Sequence, residues 1–206
     1  MSRLPKVGMV YGGWNSEAEV SKASSHFCAL TARECGYDVI EIELDRNLPI
    51  FLTEHKIDIV FNALHGQVGE DGSIQGLLNI LNIPFTHSGV TASAIAMDKL
   101  LSCKLFEGAN IQTPPKLLLN EGEHVTPIDY SGPYVIKPRN DGSSVGVEII
   151  LDGRLCPRKR WDSKTQLIAE QYISGRELTV SILNGKALCV TEIITNADFY
   201  DYDAKY

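Results

Sequence analysis

Residues 134–149 read Tyr-Val-Ile-Lys-Pro-Arg-Asn-Asp-Gly-Ser-Ser-Val-Gly-Val-Glu-Ile. Two short apolar segments, 134–136 and 145–149, flank a polar loop. They carry β-branched residues and are bounded by Pro and Gly, which predicts a strand pair. Lys137 stands where the first strand gives out, and residues 141–144 hold a glycine and two hydroxyls. A small loop with exposed backbone N–H groups beside one fixed cation is a way to hold a polyphosphate. On the segment alone, a hairpin with an ordinary solvated turn reads equally well.

Around this stretch the chain is built of short strands and turns. Residues 116–119, 134–137, 145–150, 166–171, 178–183 and 187–194 are strand candidates, and Asn184-Gly185 is a strong hairpin signal. The pattern predicts a small, mainly antiparallel α+β domain over residues 113–206. The basic run Arg158-Lys159-Arg160-Trp161 reads as a solvated loop in so acidic a chain.

Upstream the period changes. Residues 7–11 read as a buried strand and Gly12-Gly13 as a tight turn. A helix follows, with Val20, Ala23, Phe27 and Leu30 at three- and four-residue spacing. Ser16 and Glu19 fit a capping box, and Gly36 supplies the stop. Residues 39–44 and 58–63 are further strands, with a short helix at 50–55 between them. Strand–helix alternation with short loops implies a parallel sheet covered by helices.

The third strand runs into His65-Gly66-Gln67-Val68-Gly69-Glu70-Asp71-Gly72, at the carboxyl end where open α/β sheets place ligands. A helix over 73–81 has Ile74, Leu77, Leu78 and Leu81 on one face. Residues 83–86 are edge-like because Pro84 cannot donate to a ladder. Helical pieces at 91–97 and 98–107 end at Gly108, and Gln112-Thr113-Pro114-Pro115 marks a boundary. The reading is an α/β domain at 1–112 followed by the α+β domain at 113–206.

Composition excludes several classes. A formal charge of −7 over 206 residues argues against a nucleic-acid or anionic-membrane partner, which needs a basic field. The five cysteines are scattered, so neither a disulfide framework nor a zinc site is indicated. Reduced thiols, no signal-peptide pattern and no run approaching a membrane span give a cytoplasmic expectation. No Gly-x-Gly-x-x-Gly follows a strand and no Gly-x-x-x-x-Gly-Lys-Ser/Thr occurs, which sets aside dinucleotide dehydrogenases and P-loop NTPases.

The chemical candidates lie in both halves. Glu17, after a strand and a glycine turn, either complements the helix dipole or faces a cationic ligand group. His65 is either a core histidine satisfied by backbone or a ligand-facing group. Glu70 and Asp71 are solvated loop acids or orient loop groups by hydrogen bonds. Lys99 reads as a surface helix residue on spacing alone. Lys137 is harder to dismiss, because lysines are uncommon in apolar strands unless paired. Glu170 and Glu177 flank a turn where carboxylates could accept from an adenine amine and ribose hydroxyls, or be merely exposed. Residues 199–206 form an aromatic tail.

At these residues the sequence closely resembles the D-alanine–D-alanine ligases, ATP-grasp enzymes of bacterial cell-wall synthesis. The matching stretches are Gly12-Gly13-Trp14-Asn15-Ser16-Glu17-Ala18-Glu19-Val20-Ser21 and residues 64–76, 88–99, 135–146 and 199–206, in the family's order. The resemblance implies an ATP-grasp fold, with the nucleotide-binding subdomain at 113–206. It implies that Glu17 holds the ammonium of the first D-alanine and that His65 lies by its carboxylate. It gives Lys99, Lys137 and the Gly142, Ser143 and Ser144 loop to the ATP phosphates, with Lys205 near the γ-phosphate. Glu170 and Glu177 would bind adenine and ribose, helped by backbone at Gln171 and Ile173. Ser143 and Tyr206 would join Glu17 in a substrate-orienting network.

The implied reaction is ATP-dependent joining of two D-alanines through an acyl phosphate, for peptidoglycan. It calls for Mg²⁺, with Mn²⁺ as a substitute, to offset phosphoryl charge, and for a closed site, since water destroys an acyl phosphate. A homodimer is common in the family. Members run on for roughly another hundred residues, about the size of a small further domain, which carry the metal-binding acids. The expectation is therefore an incomplete ATP-grasp fold, its C-terminal part missing, with negligible turnover by these 206 residues alone. Alternatives are a D-alanine–D-lactate type ligase, disfavoured by Tyr206, and a non-catalytic nucleotide-binding fragment. Two departures stand out: Pro157 and the basic run at 158–160 replace a usual amphipathic helix, and His87 replaces a small residue.

Overall fold

The computed structural model describes residues 3–119, 132–152, 161–162 and 164–195. The chain divides into two compact units, Met1–Leu105 and Phe106–Tyr206.

In the first unit, β1 (Lys6–Tyr11), β2 (Asp38–Glu43) and β3 (Ile59–Asn62) form a parallel sheet in the order β2-β1-β3. The register sets Val10 between Ile42 and Asn62, so alternate residues of β1 face opposite layers. Val10 and Ile42 pack with Leu48 and Leu52 of α2 (Leu48–Glu54) and Ile74 and Leu78 of α3 (Ser73–Ile80). Val7, Met9 and Val39 face α1 (Ala18–Glu34), through Ala29. A sheet buried on both faces is what the nearly continuous apolar strands require. Residues 83–86 add one parallel bridge, Val60 to Phe85, and Pro84 serves as the acceptor for the Val60 amide.

The first helix differs from the sequence expectation in two ways. Its N-cap is Glu17 and no side chain caps it, so the Ser16–Glu19 capping box does not form. Instead the Asn15 side chain receives the Glu17 amide at 2.9 Å. The buried stripe is Ser21, Ser25 and Ala29, whereas Phe27 is 69% and Leu30 44% exposed. Small residues let the helix lie close to β1. The Ser21 hydroxyl also accepts from the Gly12 amide at 2.9 Å and donates to the Ala63 carbonyl at 2.8 Å. Those two polar groups would otherwise be buried without partners.

Two more helices, α4 (Val90–Met97) and α5 (Lys99–Gly108), follow. Asp98 caps α5 by accepting from the amides of Leu100 and Leu101. Among the described residues no helix is long and apolar enough to cross a membrane.

The second unit holds β4 (Lys116–Leu119), β5 (Tyr134–Pro138), β6 (Glu148–Ile150) and β7 (Leu167–Gln171), antiparallel in the order β4-β7-β5-β6. The predicted strand pair is β5–β6, with Tyr134 opposite Ile150. Its second strand starts at Glu148 rather than 145, because residues 142–147 are occupied by a double turn. Tyr134, Ile136, Ile150, Leu167 and Ala169 point into a core with Leu119. The other face carries Val135, Lys137, Ile149 and Glu170. A separate hairpin, β8 (Glu177–Leu183) and β9 (Lys186–Ile193), turns at Asn184 and Gly185 with φ of 50° and 73°, the two left-handed residues of a type I′ turn.

Candidate functional site

The β2-β1-β3 order places the loops after β1 and β3 side by side at the carboxyl ends, the crevice where such sheets bind ligands. Glu17 comes from the first loop and is 6% exposed. His65 and Gly66 come from the second. A Cβ on Gly66 would lie 2.7 Å from the Glu17 carboxylate and 3.1 Å from the Asn15 amide, so only glycine lets the backbone pass so close. The Ser24 hydroxyl lies 3.4 Å from His65 Nε2.

The acids of the second loop act on backbone. Glu70 accepts from the Gly66 amide at 2.8 Å, and Asp71 accepts from Val68 and Ser73, both at 2.9 Å. Burial disfavours the Asp71 charge, but the Val68 and Ser73 donors outweigh it and hold the carboxyl below its ordinary value. Asn62 completes the loop, donating to Gly69 O at 2.8 Å and meeting His87 Nδ1 at 3.0 Å. His87, unexplained in the sequence, is thus a partner of the buried asparagine beneath the loop. Lys99 lies at the first turn of α5, partly exposed.

In the second unit the non-core face of the sheet floors a cavity of about 830 Å³. Val135, Val147 and Ile149 supply an apolar floor, Pro114 a wall, and residues 170–177 one side. Glu170, Gln171, Ile173, Glu177 and Ser144 all line it. Lys137 sits diagonally across β5–β7 from Glu170 and its ammonium bonds that carboxylate. The Gln171 amide is taken by Pro115 O at 3.1 Å. Ser143 and Ser144 are consecutive left-handed residues, with φ of 49° and 60°. Left-handed backbone costs roughly 1–2 kcal/mol per residue, and such outliers cluster at ligand loops. Trp161 is half-buried rather than solvated: it packs on the core and donates to Gly146 O at 2.8 Å. Arg158, Lys159, Arg160, Lys205 and Tyr206 lie outside the described residues, as does the rest of the aromatic tail.

Comparison with known proteins decides the family. A family model described as "D-ala D-ala ligase C-terminus" matches residues 120–206, and "D-ala D-ala ligase N-terminus" matches residues 51–88. The D-alanine–D-alanine ligase of Zymomonas mobilis is 46% identical over all of this chain. The D-alanine–D-alanine ligase B of Brucella suis is 45% identical over 97% of it. The chain spans 66% and 67% of those two proteins, about two thirds of their length. A crystal structure of the Bacillus anthracis D-alanine–D-alanine ligase superposes with a TM-score of 0.80 at 34% identity, covering 98% of this chain and 69% of that one.

The chain belongs to the D-alanine–D-alanine ligase family. With the family comes the ATP-grasp fold. A second Bacillus anthracis ligase structure, described as complexed with ATP, matches at TM-score 0.77 and 30% identity, covering 96% of this chain and 68% of that one. Within residues 12–21 the sequence singled out Glu17 but not Asn15 or Ser21. Both bond groups about 40–50 residues away, and no local spacing signals such a bond. Ser24, 41 residues from His65, was missed for the same reason; Asn62, which bonds Gly69 and His87, carries no motif that marks it either.

Proposed function

We propose that the protein is an ATP-dependent D-alanine–D-alanine ligase acting in peptidoglycan synthesis. The observation that carries this reading is family membership at 45–46% identity across nearly the whole chain. The geometry supports a division of labour, with residues 1–112 serving the amino acid and residues 113–206 the nucleotide. The buried Glu17 carboxylate would receive the ammonium of the first D-alanine, and His65 would lie by its carboxylate. Charge pairing at a shielded site is stronger than in water, so the amino acid would be oriented before any bond changes.

The cavity in the second unit suits ATP. Its apolar floor fits a purine ring, Glu170 and the Gln171 carbonyl offer acceptors for an adenine amine, and Glu177 for ribose hydroxyls. Lys137 would offset phosphate charge, with the amides of the Gly142, Ser143 and Ser144 loop, while Lys99 keeps the phosphate role given by resemblance. ATP supplies the phosphoryl group that makes the D-alanine carboxylate reactive toward a second D-alanine's amine. Among the described residues no three Asp, Glu, His or Cys side chains converge on a metal site.

The test is phosphate release from ATP by the full gene product, with and without D-alanine. Release that depends on D-alanine, with the dipeptide as product, is expected. ATP turnover indifferent to D-alanine would overturn the reading.

A further inference from the structure

The two amino-acid-side groups, Glu17 and His65, stand on loops 48 residues apart in sequence, and one side chain ties those loops together. Asn15 lies in the loop after β1. Its Oδ1 accepts from the Glu17 amide at 2.9 Å. Its Nδ2 donates to the His65 carbonyl at 2.8 Å and, at 3.4 Å, to the Gln67 carbonyl. One carboxamide thus spends its acceptor on one loop and its donors on the other. The Gly66 backbone runs against the same two side chains, 2.7 Å from Glu17 and 3.1 Å from Asn15 when a Cβ is placed there.

We infer that Asn15 is a positioning residue for the amino-acid site, fixing the separation of the Glu17 carboxylate and the His65 imidazole. The inference rests on the ligase reading above. The residue type follows from the geometry. Serine has one short hydroxyl and cannot span both loops, and aspartate has acceptors only, so it would oppose the His65 and Gln67 carbonyls. The plainer role is a local turn at the helix start, with Asn15 Oδ1 accepting two residues on. Aspartate performs that role as well as asparagine does.

This difference gives the experiment. Asn15→Asp keeps the acceptor toward Glu17 and loses both donors; Asn15→Ala loses everything. Both are measured in the full gene product, with thermal melts to confirm folding, for kcat and for the KM of ATP and of D-alanine. The inference expects both variants to lose about tenfold to hundredfold in kcat/KM for D-alanine, the scale of a misplaced reacting group, with KM for ATP unchanged. Asp at wild-type activity while Ala is impaired shows a mere turn and overturns it. Loss in Asp alone shows a charge effect and overturns it. Losses shared equally between ATP and D-alanine show a structural role and overturn it. A wild type without D-alanine-dependent phosphate release overturns the ligase reading and this inference together, whereas an active wild type with silent Asn15 variants overturns the inference alone.

Discussion

Replacing Gly66 by alanine separates the stability of the proposed amino-acid site from its geometry. Gly66 has φ of +65°, and an added Cβ meets the Glu17 Oε2 at 2.7 Å. Two effects follow, of different kinds. The left-handed backbone costs an alanine roughly 1–2 kcal/mol. The carboxylate must also retreat from 2.7 Å to about 3.4 Å, where ordinary contact begins, a shift of about 0.7 Å. Glu17 is the far end of a flexible side chain, so the retreat adds little to the stability loss. It moves the group proposed to hold the substrate ammonium, and displacement on that scale lowers kcat/KM by about tenfold or more.

Gly76→Ala is the control, since nothing lies within 4 Å of its Cβ position in α3. That variant should be stabilised by about 0.4–1 kcal/mol. Urea unfolding measures the first effect, and steady-state kinetics in D-alanine the second. A Gly66→Ala protein that folds normally and retains the wild-type KM for D-alanine would refute the placement of Glu17.

Gly69→Ala drives a Cβ to 2.4 Å from Leu64 Cβ and 2.9 Å from its backbone carbon, so a loss of about 1–3 kcal/mol or more is expected; a melt within 0.5 kcal/mol of wild type, the range of an inconsequential substitution, would contradict it. A double-mutant cycle on Lys137→Ala and Glu170→Ala should return a coupling of about 1–3 kcal/mol, and each single variant should weaken ATP binding by calorimetry; additivity within error would remove the pair. Asp71 has its folded pKa lowered, so its contribution is full above the unfolded value of about 3.9 and is lost as pH falls through the folded one. The stability gap between wild type and Asp71→Asn should therefore be flat near neutrality and narrow below about pH 4; a gap that widens on acidification has the wrong sign.

Much of the fold was legible because its signals are local. The β5–β6 pair, the Asn184-Gly185 turn and the β1-α1-β2 alternation each follow from a few adjacent residues. The buried face of α1 was not legible. Phe27 and Leu30 recur at helical spacing, yet the sheet takes Ser21, Ser25 and Ala29, because close approach needs small side chains and a hydroxyl to satisfy Gly12 and Ala63. Nor does the start of β6 show in composition: Val145 is as apolar as a strand residue but is held in the turn by its bond to Gly142 O. Glu17 and His65 were singled out from their place at strand ends. The side chain that joins their loops was not, since Asn15 and His65 are 50 residues apart.

The two faces of the β4-β7-β5-β6 sheet also say where the chain tolerates a change of length. Tyr134 and Ile136 alternate with Val135 and Lys137, so core and cavity floor are written in the same five residues. Inserting or deleting one residue within Tyr134–Pro138 would exchange the two sets. Lys137 would then point among Leu119, Ile150 and Leu167, an ammonium without its carboxylate, while two large apolar side chains would fill the cavity. The same insertion within residues 139–147 leaves both strands in phase and alters only the loop. Length variation among natural sequences of this kind should therefore be absent from the strand.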